Sequence, residues 1–221
     1  MRIASKLVRT SREWEPKSKY YIVPEGEKTE IQYFCGIRDN ADELNIKSLI
    51  DIIPVENDED EQGQSHPKEK IQNFNKDLQN GKFTFDKELD KVCFVVDRDP
   101  QNFKEEQFDE FKQECEKYGY KFYITNPAFE FFLLLHSDEI FKFDEKEMLK
   151  NERQGPRRGK RFLEIKLSEV FGCSKKNIDF EKFKPNIRKA INNEKQFCEE
   201  LEELKNNLGS NVGKLLDSMM E

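Results

Sequence analysis

The chain has 221 residues, a formal net charge of −7, 35% hydrophobic and 38% charged residues, which suits one domain with a strongly solvated surface. Its 19 phenylalanines supply enough apolar volume to exclude a disordered chain, and the acidic balance excludes a global electrostatic pull toward nucleic acid or membrane. The 5 scattered cysteines, with no CxxC pair, exclude a zinc ribbon and a disulfide framework; without a signal-peptide core or a run of roughly 18 apolar residues, a cytoplasmic protein with reduced thiols and no membrane contact is expected.

Strand and helix patterns alternate along the chain. "KYYIV" (19–23) reads as a strand, and a helix is predicted from Thr29 to Glu43, with Thr29 as a candidate cap. "SLIDIIPV" (48–55) is a second strand, ended by Pro54. An acidic loop at 56–61 leads toward a helix opened by Pro67 and closed by Gly81. "KVCFVV" (91–96) is the continuous apolar run of a central strand covered on both faces. A helix over 103–118 turns Phe103, Phe108 and Phe111 inward and stops at Gly119. "YKFYIT" (120–125) is the fourth strand, and Asn126 and Pro127 are predicted as cap and first residue of a helix through "AFEFFLLLH". This alternation predicts an α/β fold with a mainly parallel sheet flanked by helices over 1–150. From 151 the texture changes: a basic loop, a helix over 161–171, a long charge-laced helix from Ile187 to Leu208 and a short last helix predict a helical C-terminal extension, 151–221, packed on the α/β domain.

In such sheets ligands bind at the carboxyl ends of the strands. Asp97 and Asp99 stand there after the central strand. Alternate residues of an extended chain point the same way, so the pair offers hard oxygen ligands suited to Mg²⁺ or Mn²⁺; a strand-ending turn broken by Pro100 is the plainer reading. In "PEGEKTE", Glu27 and Glu30 are accounted for by the helix dipole, which leaves Glu25 over as a third candidate ligand. Lys28 is a phosphate contact or a solvated lysine. Glu130 lies in a helix that is apolar all round, so its carboxylate must be ion-paired, hydrogen-bonded or metal-bound. His136 is a general acid or base, or a polar stop facing a carbonyl, and it does not share a helical face with Glu130. His66 is a weaker candidate in a polar loop. Arg157, Arg158, Lys160 and Arg161 in "RQGPRRGKR" form a stripe for a nucleic-acid backbone or a solvated loop, as do Arg2, Lys6, Arg9 and Arg12. P-loop, dinucleotide and nucleophile-elbow motifs are absent. The remaining chemistry is a carboxylate-held metal acting on phosphoryl groups.

With those residues in place, the sequence resembles the RloB family, the TOPRIM-like component of AbiL-type phage abortive-infection systems. The resemblance runs in order through "LVRTSREWEPKSKYYIVPEGEKTEIQYF", "VCFVVDRD", "NPAFEFFLLLH" and "LGSNVGKLLDSM". It implies a TOPRIM-like α/β catalytic domain that binds Mg²⁺ through Glu25, Asp97 and Asp99. It further implies a toxin-like nuclease effector that cuts RNA, tRNA included, or DNA under the control of a cognate ABC- or AAA-type ATPase. Glu130, Lys28 and His136 would then assist by ligation, phosphate contact or proton transfer. A non-catalytic adaptor of the ATPase and a nucleotidyltransferase are the rival readings, and a homo-oligomer is left open. The stretch around Val55 and Glu56 matches no motif of the family.

Overall fold

Alternation along two central strands divides the core in two. In β1 (Lys19–Pro24), Tyr20 and Ile22 face one apolar cluster while Tyr21 and Val23 face another; in β3 (Lys91–Asp97), Cys93 and Val95 join the first and Val92, Phe94 and Val96 the second. A computed structural model describes residues 18–26, 28–54, 67–99, 103–155 and 159–220. In it β2 (Leu49–Ile52), β1, β3 and β4 (Lys121–Asn126) are parallel, and a short β5 (Gly209–Ser210) adds antiparallel to β4, in the order β2-β1-β3-β4-β5. The fold is therefore the mixed α/β one that the alternation predicts.

One face of the sheet carries α2 (Pro67–Gln79) and α3 (Glu105–Tyr118), through Ile71, Phe74, Phe108 and Phe111. The other carries α1 (Thr29–Asp39), α4 (Phe129–Leu134), α6 (Phe162–Phe171), α7 (Ile187–Glu194) and α8 (Val212–Met220), together with Met148 of α5 (Glu145–Lys150). Phe103, Phe108 and Phe111 are all buried, as their spacing predicts. All 5 cysteines are free. Among the described residues, no helix is long and apolar enough to cross a membrane.

The order of strands matters for function. From β1 the chain steps to β2 on one side, then returns past β1 to place β3 on the other. The segment after β1 runs to α1 on one face, and the segment after β3 runs to α3 on the opposite face. Diverging connections of this kind open a crevice at the carboxyl ends of the two strands, the usual ligand position in open α/β sheets. Glu25 and Asp97 stand at that switch point.

Several predicted boundaries are corrected. Asn126 does not cap α4; it ends β4, and its side-chain amide donates to the carbonyls of Leu204 (2.8 Å) and Asn207 (2.9 Å). Ala128 takes the cap position instead. Thr29 does not cap α1 either, because its hydroxyl donates to the Lys175 carbonyl at 2.6 Å. The helix predicted to Glu43 stops at Asp39, where the Asn40 amide takes the Gly36 carbonyl at 2.9 Å. The long helix predicted from Ile187 to Leu208 stops at Glu194, and a 3₁₀ turn (Glu203–Lys205) and β5 follow. The reason is tertiary: Asn193 donates to the Leu135 carbonyl (2.9 Å), and Phe197 turns onto Phe131 and Phe141. Charge periodicity cannot report such contacts.

Gly119 links α3 to β4 at φ +74°, with nothing within 4 Å of where a Cβ would stand. Gly119→Ala therefore meets no collision but forces a left-handed backbone on alanine, and should cost about 1 kcal/mol in denaturant unfolding.

Candidate functional site

The site begins with an interrupted ladder. Pro24 is the last β1 residue, and the Glu25 amide still donates to the Val95 carbonyl of β3 at 2.8 Å. In a continuing parallel ladder the Asp97 amide would next donate to the Glu25 carbonyl. That carbonyl instead accepts from the buried Lys70 ammonium of α2 at 2.8 Å, and the Asp97 amide donates to Glu25 Oε2 at 2.7 Å. The Glu25 side chain thus replaces a rung of the sheet, which fixes its carboxylate against Asp97. Asp97 is fixed in turn: its Oδ1 accepts from the Thr125 hydroxyl of β4 at 2.7 Å.

Two further carboxylates share the pocket. Glu30 and Glu130 are 5% and 7% exposed, and both line a cavity of about 360 Å³ with Gly26, Lys28, Asp97, Lys175 and Lys176 among its walls. A Cβ at Gly26 would run into the Glu30 carboxylate, which would have to shift. Glu130 reaches the cavity because it stands in the first turn of α4, whose other side chains are all buried in apolar contact.

Burial without enough positive charge raises these acids. Desolvation pushes the Glu30 carboxyl up to about 7, with Glu130 and Glu25 adding repulsion. Desolvation holds Asp97 well above its ordinary value, reinforced by Glu30, Glu25 and Glu130 and opposed by the Thr125 hydroxyl. Glu25 is raised by burial against the pull of the Asp97 amide and Lys70. Glu130 is raised by burial too, eased by its own backbone amide and by Lys175.

The Lys175 ammonium ion-pairs with Glu164 and lies 4.0 Å from Glu130 Oε1. Its backbone is tied to α1 through Thr29, and the neighbouring Lys176 carbonyl accepts from the Gln32 amide at 2.9 Å. The Arg161 guanidinium pairs with Asp99 at 3.0 Å. Arg98, between the two aspartates, turns the other way, donates to the Phe103 carbonyl and lies over the Phe103 ring.

The sequence-predicted residues therefore separate. Glu25 and Asp97 come together, Glu130 joins the pocket, and Lys28 is exposed at its wall. Asp99 is held by Arg161 and does not line the pocket. His136 does not line it either. It is buried in the core, with Nε2 at 3.0 Å from the Tyr33 hydroxyl and Nδ1 at 3.1 Å from the Leu133 carbonyl, and burial lowers it to about 4. A neutral imidazole donating from Nδ1 and accepting from tyrosine is a core hydrogen-bond link. Lys160 is exposed; Arg157, Arg158, His66, the acidic loop 56–61 and the four N-terminal basic residues lie outside the described residues.

Glu30, Lys70, Thr125 and Lys175 were missed by the sequence reading. Glu30 carried a readable signal: it occupies the same stripe as Tyr33, Phe34 and Ile37, at i, i+3, i+4 and i+7, which is the buried face of α1. An acid on an apolar stripe needs a reason beyond the helix dipole. Lys70, Thr125 and Lys175 come from distant segments with no shared spacing.

Hard carboxylate oxygens in this number suit a small divalent cation such as Mg²⁺ or Mn²⁺, and the raised carboxyls mark acids that Lys70 and Lys175 only partly offset among the described residues. Among the described residues, no three Asp, Glu, His or Cys side chains stand close enough to hold a metal ion as arranged. The donor set fits the cation in chemistry, and closing it requires side-chain movement.

Neither the curated proteins nor the solved structures contain a match to this chain. The family model of RloB-like proteins matches residues 20–219. That span takes in the Glu25 turn, the Asp97 strand end, the Glu130 helix and the β5–α8 segment. The chain belongs to the RloB-like protein family.

Proposed function

We propose that the chain is a Mg²⁺- or Mn²⁺-dependent nuclease that hydrolyses phosphodiester bonds in RNA, tRNA included, or in DNA. The observation that carries this reading is the Glu25–Asp97 tie at the switch point of the sheet, opening on a pocket that also gathers Glu30 and Glu130. Glu25 and Asp97 would hold the cation, with Glu30 or Glu130 beside them. Bound there, a divalent cation supplies Lewis-acid stabilisation to a phosphodiester. The residues around it have their own tasks: Thr125 and the Asp97 amide orient the ligands, while Lys175 and Lys28 offer positive charge to phosphate oxygens at the pocket wall.

The role as an effector of an anti-phage system, working in the cytoplasm with a partner ATPase of the ABC or AAA type, rests on family membership and on the resemblance alone. A non-catalytic adaptor of that ATPase is the second reading. It is favoured by one observation, that Asp99 is engaged by Arg161 and no three ligands are assembled among the described residues.

Incubation with labelled RNA and DNA, with and without Mg²⁺ or Mn²⁺, separates the readings. Cation-dependent shortening of either polymer is expected; intact polymers under every condition would leave the adaptor reading. Glu30→Gln should weaken Mn²⁺ binding by about tenfold, measured by calorimetry, because it removes one charge that supports the ligand pair.

A further inference from the structure

Part of the wall of the acid pocket comes from the C-terminal extension. After α6 the chain makes a tight turn over 174–177, in which the Asn177 amide donates to the Ser174 carbonyl at 3.0 Å and Lys175 and Lys176 are the two central residues. Two side chains of α1, three residues apart and so on one helical face, hold this turn. The Thr29 hydroxyl donates to the Lys175 carbonyl at 2.6 Å. The Gln32 amide donates to the Lys176 carbonyl at 2.9 Å, and Gln32 Oε1 accepts from the Ile178 amide at 2.9 Å. Gln32 thus commits both ends of its amide to one short segment. All three bonds go to backbone groups and leave the lysine ammoniums untouched.

Both lysines of the turn line the cavity with Glu30, Asp97 and Glu130. They differ in what their charge meets. Lys175 is ion-paired with Glu164 and lies 4.0 Å from Glu130, whereas Lys176 is exposed and enters no ion pair among the described residues. A cation fixed at the pocket wall by its backbone, with no acid of the chain paired to it, is placed for an anion brought from outside. We infer that Lys176 contacts a substrate phosphate at this wall and that Gln32 is the positioning residue that holds it there. The inference rests on the nuclease reading given above. It assigns the wall to the sugar-phosphate backbone of a polynucleotide rather than to a base, because an ammonium on a flexible stem meets charge and carries no sequence information. Such a contact acts on substrate binding and not on the chemical step.

The test follows cation-dependent cleavage of a labelled strand by the full chain in the steady state, at several salt concentrations. Lys176→Ala should raise KM about tenfold, the scale of one hydrogen bond to a charged group, and leave kcat as it is. It should also lower the slope of log KM against log salt by about one, since one contact that displaces a counterion is lost. Gln32→Met removes both bonds to the turn without changing the charge, while Lys175 keeps its bond from Thr29. It should reproduce the rise in KM and the loss of salt dependence. Lys176→Arg should restore most of the wild-type KM.

A Lys176→Ala background separates positioning of the lysine from a general structural effect. There, Gln32→Met should raise KM no further. Effects of the two substitutions that add, or an unchanged KM or salt slope in Lys176→Ala, would overturn the inference, as would a fall in kcat at unchanged KM in Gln32→Met. If cleavage then still depends on Glu25 and on the cation, the nuclease reading stands without it. Absence of cation-dependent cleavage by the wild-type chain would overturn both.

Discussion

Glu25→Ala and Asp97→Ala should each lower cation-dependent cleavage by roughly 10³-fold, the rate equivalent of the several kcal/mol that a bound metal contributes to a phosphoryl transition state. The Asp97 backbone amide donates to Glu25 Oε2, a bond that Asp97→Ala keeps and Glu25→Ala loses, and both side chains would hold the same cation. The double variant should therefore be little worse than the single ones, since residues acting as a unit are not additive. Both variants should stay folded: the acids sit beyond the apolar core, and removing a desolvated carboxylate relieves repulsion with Glu30 and Glu130. Circular dichroism and thermal unfolding alongside the cleavage assay check that. Full cleavage by both variants would contradict the assignment, whatever their stability.

The second large effect concerns stability and a different carboxylate. Glu194 ends α7 and is fully buried against the start of α8. Its Oε1 accepts from the Gly213 amide at 2.9 Å, while Oε2 has no hydrogen-bond partner among the described residues, and a Cβ on Gly213 would collide with it. Desolvation holds the group at about 7, against the Gly213 amide and the Ser210 hydroxyl, which pull it down. An unfolded chain releases this proton near the ordinary glutamate value of about 4.3. Between those values the folded chain binds a proton that the unfolded chain has lost, so stability falls as pH rises through the window and levels off above it. The gap corresponds to about 4 kcal/mol. Glu194→Gln mimics the protonated form and should remove that part of the fall, leaving the part that belongs to the acid pocket. Urea unfolding of both proteins at about pH 5 and about pH 8 measures it. Equal falls in the two proteins would show that Glu194 does not carry the effect.

The two clusters of acids differ in what their burial is for. Glu194 meets an amide and a hydroxyl and closes the joint between α7 and α8. Glu30, Asp97 and Glu130 line a cavity at the sheet's switch point, with Glu25 tied to the Asp97 amide beside it, and burial raises all four. Burial alone does not mark a functional carboxylate; burial beside open space does.

Much of this was legible from residues. "KYYIV", "KVCFVV" and "YKFYIT" carry strand patterns strong enough to set the sheet, and Phe108 and Phe111 declare the buried face of α3, with Phe103 buried just before it. The leftover position of Glu25 pointed to the Asp97 strand end, which the register of β1 on β3 brings beside it. What escaped depends on contacts distant in sequence. The helix dipole accounts for Glu30 locally, whereas its burial and the repulsion from Glu130, far along the chain, do not show in local spacing. Strand alternation pairs Asp99 with Asp97, but the strand ends at Asp97 and Asp99 forms an ion pair with Arg161. Asn126 had the right chemistry for a helix cap and used it on Leu204 and Asn207 instead.

The central claim is that the acid pocket is a divalent-cation site formed by Glu25 and Asp97. Calorimetric titration of Mn²⁺ into the wild-type chain, Glu25→Gln and Asp97→Asn, at about pH 8, above the value to which burial raises Glu30, tests it most directly. The account predicts saturable binding by the wild-type chain that both substitutions weaken severely. No binding, or binding that neither substitution changes, would contradict it.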